Sequence, residues 1–249
     1  VNEADAIVAV NEHLRYRTGI AFKEIRKKII TISNGFDCNN LDTVELCGKS
    51  MIKDWDWDEN DLILTFIGSL REKKGVAVLL KALNEVNASN VHVRLLVVGS
   101  AISGAEKLAV GHIWNHLVEQ NIVRYTGQIP RDLVLSNASI ADVICIPSLD
   151  DGMANGLLEG MAIGLYPITT TILRDVVDDK VHGLVVEPGD VEGLAEAFEE
   201  LYNDKSLIRK YGESSREHIR NDFKPEREAE KYIKLFTKIL EEKDEYTTL

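Results

Sequence analysis

The chain has 249 residues, of which 45% are hydrophobic and 28% are charged. This composition is typical of a globular protein and excludes a wholly disordered, collagen-like or coiled-coil chain. The net charge of -12 at pH 7 disfavours nucleic acid and anionic lipid as partners, because an acidic surface repels them. A basic site would therefore be a small local cluster, as expected for a small anionic ligand.

Cysteine usage and hydropathy indicate a cytoplasmic protein. Cys38, Cys47 and Cys145 form no CxxC motif and leave at least one thiol unpaired, which fits a reducing compartment. No apolar run approaches the roughly 20 residues of a membrane span, and the start VNEADAIVAV lacks the features of a signal peptide.

The first 30 residues are predicted to belong to the edge of another domain. Residues 4–10 form a short strand-like run, which a polar helix and the basic segment 23–28 follow. One strand and one helix cannot make a domain, so residues 1–30 are expected to be a remnant of a preceding domain together with the crossing into the next. Asn34 and Gly35 then give a strong turn signal.

Apolar runs alternate with helical patterns over the middle of the chain. The predicted buried strands cover residues 28–33, 62–67, 93–98, 122–125 and 143–146. This alternation predicts an α/β fold, with a Rossmann-like parallel sheet covered by helices on both faces.

A helical extension is expected at the C-terminus, with helices over 191–203, 206–221 and 225–242. The predicted division is a remnant at 1–30, a Rossmann-like domain at 31–223, and a last helix and tail at 224–249.

Two strand ends carry the chemistry, since ligands bind beyond the carboxyl ends of strands in open parallel sheets. In FIGSLREKKGV at 66–76, Gly68 closes a strand and a basic loop with Arg71, Lys73 and Lys74 precedes a helix. That loop is placed to meet a phosphate. A chance cluster of solvated cations is the alternative.

The second strand end lies in IPSLDDGMANGLLEGMAIG at 146–164. A loop with Asp150, Asp151 and Gly152 leads into a helix whose small first residues would let a ligand approach the backbone amides. Asp151 and Glu159 are expected to face one crevice. The alternative is that both are ordinary surface carboxylates.

Taken together, these motifs resemble those of the retaining, nucleotide-sugar-dependent glycosyltransferases of the two-Rossmann GT-B fold, glycosyl transferases group 1. The match is to the C-terminal, donor-binding half of that family. The matching positions, in chain order, are Asn34, Gly35, Asp37, Gly68, Lys74, Gly75, Gly127, Pro130, Pro147, Ser148, Asp151, Gly152, Glu159, Ala162 and Gly164.

The resemblance implies a role for each site residue. Lys74 would hold the donor diphosphate, Glu159 would accept hydrogen bonds from the ribose hydroxyls, and Asp151 would contact the donor sugar. Lys74 and Asp151 are the implied catalytic residues, with no metal and no cofactor required. The implied donor-binding residues are Gly68, Ser69, Arg71, Lys74, Gln128, Ile129, Asp151, Gly152, Met153, Ala154, Asn155 and Glu159.

Three departures from the family pattern bear on activity. Ser69 stands where the family has an Arg, which removes a bidentate phosphate partner unless Arg71 turns inward to replace it. Asp151 is one methylene shorter than the family's Glu. The family's Gly-Gly-x-Pro-Glu loop is replaced by TTTILRD at 169–175, which leaves only Asp175 near the acidic position.

The resemblance implies a hexosyltransferase-type enzyme that moves a sugar from a nucleoside-diphosphate sugar to an unknown acceptor with retention of configuration. Its expected partners are the nucleotide-sugar donor and a missing N-terminal acceptor domain, and the isolated chain is expected to have little activity. No nucleic acid is expected, and membrane association would arise only through the absent half or a lipid acceptor. The alternatives are a non-catalytic nucleotide-binding or regulatory module and a sugar-nucleotide epimerase of the same fold.

Overall fold

A computed structural model of the chain describes residues 3–38, 41, 52, 54–89, 91–100 and 104–247, so that Cys47 lies outside the described residues. Strands and helices alternate through the middle of the chain. The strands are β1 (Ile7–Ala9), β2 (Ile29–Thr31), β3 (Leu62–Ile67), β4 (Val93–Val98), β5 (Val123–Tyr125), β6 (Val143–Ile146), β7 (Tyr166–Thr170) and β8 (Leu184–Val186). The α-helices are α1 (Glu12–Ala21), α2 (Val76–Ala88), α3 (Gly104–Glu119), α4 (Arg131–Ala138), α5 (Asn155–Ala162), α6 (Val191–Asn203), α7 (Ser206–Asp222) and α8 (Pro225–Thr247).

The main sheet has six parallel strands in the order β5-β4-β3-β6-β7-β8. Within this sheet the chain first forms β3. It then runs outward through β4 and β5, and returns to the other side of β3 as β6. Strand order therefore reverses between β3 and β6, where a parallel sheet forms a crevice at its carboxyl edge. All six residues of β3 are buried, as the continuous apolar run predicted.

Helices cover both faces of this sheet. On one face α2 packs against α3 and α6, and on the other α5 packs against α4 and α7. The predicted α/β fold with a Rossmann-like parallel sheet is confirmed, as are the helices at the C-terminus, with α8 continuing to Thr247. The four predicted strands from residue 62 to residue 146 form with almost the expected bounds.

One strand prediction was wrong in its placement. Residues 29–31 do form a strand, but β2 pairs in parallel with β1 in a separate two-stranded sheet, Ile7 lying opposite Ile29. Ala9, Ile25 and Ile29 bury a small core of their own, which gives this pair a reason to form away from the main sheet. The predicted boundary between residues 30 and 31 falls inside β2, and the division of the chain into three parts stays a prediction.

The helix α8 returns the chain to its beginning. At its start the Glu228 carboxylate accepts a hydrogen bond from the Gly35 amide at 2.7 Å. Near its end Lys243 Nζ lies 2.8 Å from Asp5 Oδ2. The turn at 34–35 and Asp5, two residues before β1, are thus both attached to α8.

Candidate functional site

The loops after β3 and β6 meet at the point where the strand order reverses. Gly75 ends the loop after β3 in the left-handed conformation, with φ of +74°. A Cβ atom at this position would lie 1.8 Å from the Pro147 carbonyl oxygen, so only glycine allows the two loops to approach this closely. Close approach brings the two predicted strand ends into one site.

Lys74 and Asp151 form an ion pair across this junction. The Asp151 side chain is 6% exposed and that of Lys74 is 23% exposed. Ser148 Oγ donates a further hydrogen bond of 3.3 Å to the same Asp151 oxygen, Oδ2. The two residues with implied catalytic roles are therefore in contact, and a bound anion would compete with Asp151 for the Lys74 ammonium.

The backbone of the Asp151 loop is fixed from two sides. The Lys73 carbonyl accepts hydrogen bonds from the Leu149 and Asp150 amides at 2.9 and 3.1 Å. Asn11 Nδ2 donates to the Asp151 carbonyl at 3.1 Å. Asn11 was missed by the sequence reasoning, although an Asn directly before a helix is a recognisable N-cap signal.

Two glycines predicted to make room for a ligand make room for the protein itself. A Cβ on Gly152 would lie 2.9 Å from Leu14 Cδ1, and one on Gly156 would lie 2.4 Å from the Ile67 carbonyl oxygen. These glycines allow α1 and β3 to pack closely against the loop and against α5. Between them, Ala154 is buried, Met153 is half-buried and Asn155 is exposed at the first residue of α5.

Glu159 faces a different space from Asp151. It lines a cavity of about 910 Å³ together with Asn155, Arg131 and the turn at 34–37. Burial raises the pKa of the Glu159 carboxyl, and the charge of Arg131 opposes that rise. Asp151 instead lines a second cavity, of about 470 Å³, between α1 and the loop after β6. The expected single crevice is thus two cavities, and Arg131 was not predicted.

The remaining predicted donor-binding residues lie at the same sheet edge but outside the lining of both cavities. Gly68 has φ of +126° and donates to the Val98 carbonyl at 2.9 Å, while Ser69 is half-buried. Arg71 is exposed, as is Gln128, and Ile129 is half-buried. The arrangement leaves Lys74 as the cation held at the meeting point of the loops.

Asp175 has a structural partner. Its Oδ2 accepts a hydrogen bond of 2.6 Å from the Glu12 amide at the start of α1. An acidic side chain at a helix N-terminus is favourable because it meets the unpaired amides and the positive end of the helix dipole.

Neither a metal cluster nor a membrane span emerges from the part of the chain that the structure describes. Within it, no group of three or more His, Cys, Asp or Glu side chains is placed to hold a metal ion. None of its helices combines the length and the apolar character that are needed to cross a bilayer.

Comparison with known proteins relates the chain to glycosyltransferases. Residues 61–204 match the sequence model of the family described as "Glycosyl transferases group 1". Similar proteins include a capsular polysaccharide biosynthesis glycosyltransferase of Staphylococcus aureus, 23% identical over 97% of this chain and 63% of its own length. Another is the N-acetyl-alpha-D-glucosaminyl L-malate synthase of Bacillus anthracis, 25% identical over 96% of this chain and 61% of its own.

Solved structures show the same fold. A glycosyltransferase from Rickettsia africae superposes with a TM-score of 0.78 at 24% identity, covering 95% of this chain and 64% of that one. The Anabaena protein HepE, in complex with UDP-glucose, superposes with a TM-score of 0.75 at 17% identity, over 94% of this chain and 64% of its own. The chain thus spans less than two thirds of the length of these relatives. The family match covers more than half of the chain, so the resemblance to glycosyl transferases group 1 is confirmed at the level of the family, and the chain belongs to the glycosyl transferases group 1 family.

Proposed function

We propose that the chain is the donor-binding half of a glycosyltransferase that moves a sugar from a nucleoside-diphosphate sugar to an acceptor with retention of configuration. The observation that carries this proposal is the ion pair of Lys74 with Asp151 at the reversal of strand order. It places one cation and one carboxylate at the sheet edge where parallel α/β folds bind nucleotides.

The two charges suit the two parts of such a donor. Lys74 would leave Asp151 for the diphosphate and stabilise the negative charge that develops on the leaving oxygen. Asp151, freed from Lys74, would then accept hydrogen bonds from the sugar hydroxyls. No metal and no cofactor enter this scheme, since the lysine and the backbone amides before α5 supply the positive potential.

Glu159 completes the donor site in this proposal. Its cavity of about 910 Å³ is large enough for a nucleoside, and its carboxylate can accept from two ribose hydroxyls. The rest of the enzyme would come from an N-terminal half that binds the acceptor, so the isolated chain is expected to bind the donor and transfer little.

Calorimetric titration of the chain with UDP, GDP and ADP tests the donor site. We expect one of them to bind, and Glu159→Gln to weaken binding of both that diphosphate and its nucleoside. Lys74→Gln should weaken the diphosphate about tenfold or more and leave the nucleoside unchanged, because a hydrogen bond to a charged group is worth roughly 1.5–3 kcal/mol. Lys81→Gln, which removes an exposed lysine on α2, is the matched control.

Two results would contradict the proposal. If none of the three diphosphates binds, the chain is a degenerate module rather than a donor site. If Lys74→Gln and Lys81→Gln have equal effects, the site lies elsewhere. Retention is tested in a protein that includes the N-terminal half, by the anomeric configuration of the product in proton NMR.

A further inference from the structure

Two histidines from separate elements stack their rings face to face. His182 lies in the segment 178–183, which precedes β8, and His218 lies on α7. The ring centroids are 3.9 Å apart and the ring planes differ by 10°. The side chains are 13% and 15% exposed, so water reaches little of either ring. The stack therefore joins the 178–183 segment to α7.

A carboxylate approaches each ring of this pair. His182 Nδ1 lies 3.7 Å from Asp178 Oδ2, on its own segment. His218 Nδ1 lies 2.9 Å from Asp222 Oδ2, one turn further along α7. The other Asp222 oxygen accepts a hydrogen bond from Arg227, at the start of α8. The further charged side chains that share a cavity of about 220 Å³ with His218 are Asp175, Lys224, Glu228 and Lys231.

The pair accepts one proton more readily than two. A proton on His218 Nδ1 would be shared with the Asp222 carboxylate. His182 Nδ1, in contrast, is buried and has no hydrogen-bond partner in the part of the chain that the structure describes. Burial lowers the pKa of His182 and the charge of His218 lowers it further, although the two neighbouring aspartates oppose this change. A second proton would place two like charges face to face in a site with little water.

The ring stack is the shielded part of the contact between the 178–183 segment and α7. Ser214 Oγ on α7 also donates to the Val181 carbonyl at 2.9 Å, but Val181 is 55% exposed. Water competes for an exposed hydrogen bond, so its net contribution is small. We therefore expect the two rings, rather than Ser214, to keep the segment on the helix.

We propose that the His182–His218 stack is a pH-sensitive latch. At neutral pH the stacked rings hold the 178–183 segment on α7, and in mild acid the second proton drives the rings apart and releases the segment. The latch is independent of the proposed function, because neither histidine lines the two cavities of the candidate site.

The latch makes the folded chain less stable in acid. Because folding lowers the pKa of His182, the unfolded chain binds this proton at a higher pH than the folded chain does. The contribution of His182 to the free energy of unfolding is complete above its ordinary pKa of about 6.5 and is lost as the pH falls below that value.

Urea unfolding followed by circular dichroism, at about pH 7.5 and about pH 5.5, measures this loss. We expect the midpoint to fall further between these two pH values for wild type than for His182→Gln, whose amide stays neutral. The matched control is His116→Gln, which removes an exposed histidine of α3 and should behave as wild type does. An equal fall in wild type and in His182→Gln would overturn the latch.

Proton NMR of the histidine rings covers the case in which His182→Gln does not fold. The His182 ring of the folded chain should titrate at a lower pH than the histidines of the urea-unfolded chain do. In His218→Gln the titration of His182 should move up towards that of the unfolded chain, because the neighbouring charge is gone. Titration of His182 at the pH of the unfolded histidines would contradict the proposal.

Amide hydrogen exchange locates the release. After correction for the intrinsic effect of pH, the amides of the 178–183 segment should open about threefold or more in excess at the lower pH, and the amides of α2 should change less. His182→Gln should remove this difference. An equal increase in the segment and in α2 would mean that acid loosens the whole molecule, and the latch would then be wrong.

Discussion

Glu159, which lines the cavity of about 910 Å³, shows how a half-buried carboxyl can oppose stability. Burial raises its pKa, so the unfolded chain releases this proton at a lower pH than the folded chain does. The contribution of Glu159 to the free energy of unfolding therefore falls as the pH rises through the interval above its ordinary pKa. Glu159→Gln removes this half-buried carboxyl, so in that pH interval the variant is expected to report on binding rather than on unfolding.

Two glycines with positive φ, one crowded and one open, separate backbone strain from steric clash. Gly75 and Gly189 both have positive φ, of +74° and +88°. A Cβ on Gly75 would lie 1.8 Å from the Pro147 oxygen, whereas one on Gly189 would meet nothing within 4 Å. We expect Gly189→Ala to cost about 1–2 kcal/mol for the left-handed backbone. Gly75→Ala should cost about 1–3 kcal/mol more, because overpacking is added to that strain.

Urea unfolding followed by circular dichroism measures both variants against wild type. The midpoint should fall further for Gly75→Ala than for Gly189→Ala, with an unchanged slope. Equal midpoints would mean that the loops after β3 and β6 are not held as close together as the structure has them.

At the scale of elements, the N-cap residue of α1 connects this helix to the loop after β6. Asn11 Oδ1 accepts from the Leu14 amide at 2.8 Å while its Nδ2 donates to the Asp151 carbonyl. Asp190 caps α6 in the same way, accepting from the Gly193 amide at 2.9 Å, and among the described residues its side chain makes no hydrogen bond to the site loops. Asn11 thus both caps α1 and bonds to the loop after β6, whereas Asp190 only caps α6.

This difference predicts unequal costs for removing the two caps. Asp190→Ala should destabilise by about 1 kcal/mol, the usual cost of losing an N-cap. Asn11→Ala should cost about 1–3 kcal/mol beyond that, because it also leaves a buried carbonyl without its donor. Chemical denaturation of both variants checks the difference, and equal losses would show that the Asn11 bond to the loop contributes nothing measurable.

The strands show what sequence pattern can and cannot supply. Continuous apolar runs predicted β3, β4 and β6 because those strands are buried on both faces. The strand β7 contains Pro167, Thr169 and Thr170 and was not predicted. Its buried hydroxyls are satisfied by neighbouring backbone, since Thr169 Oγ1 donates to the Ile146 carbonyl and Thr170 Oγ1 to the Ser148 carbonyl. The sequence of such a strand is too polar to predict a buried strand, because the partners of its hydroxyls are not visible in the sequence.

The same limit applies to the site. Spacing from strand ends placed Lys74 and Asp151 at one edge of the sheet, because parallel strands share that edge. Their direct contact depends on the close approach of Gly75 to Pro147, which is a long-range tertiary contact. The separation of Asp151 from Glu159 into two cavities likewise depends on where α1 and α4 pack, and no local pattern specifies this.

At the scale of the whole molecule, α8 leaves an apolar stripe uncovered. Glu228 attaches the helix to the turn at 34–35, and Lys243 attaches it to Asp5 before the first strand. On the helix surface Ile233, Phe236 and Leu240 follow one another at helical spacing and are 63%, 56% and 62% exposed. Exposed apolar side chains in a continuous row favour contact with a second surface.

This stripe predicts self-association of the chain at high concentration. Replacing Ile233, Phe236 and Leu240 by Gln should reduce the association measured by sedimentation equilibrium. The free energy of unfolding should change by less than about 1 kcal/mol, because these side chains are already in water for more than half of their surface. The matched control replaces Lys234, Thr237 and Glu241, the exposed polar residues one position further along α8, by the same amide. Only the apolar set should lower association, and an equal effect of the two sets would assign the association to charge or to another face of the molecule.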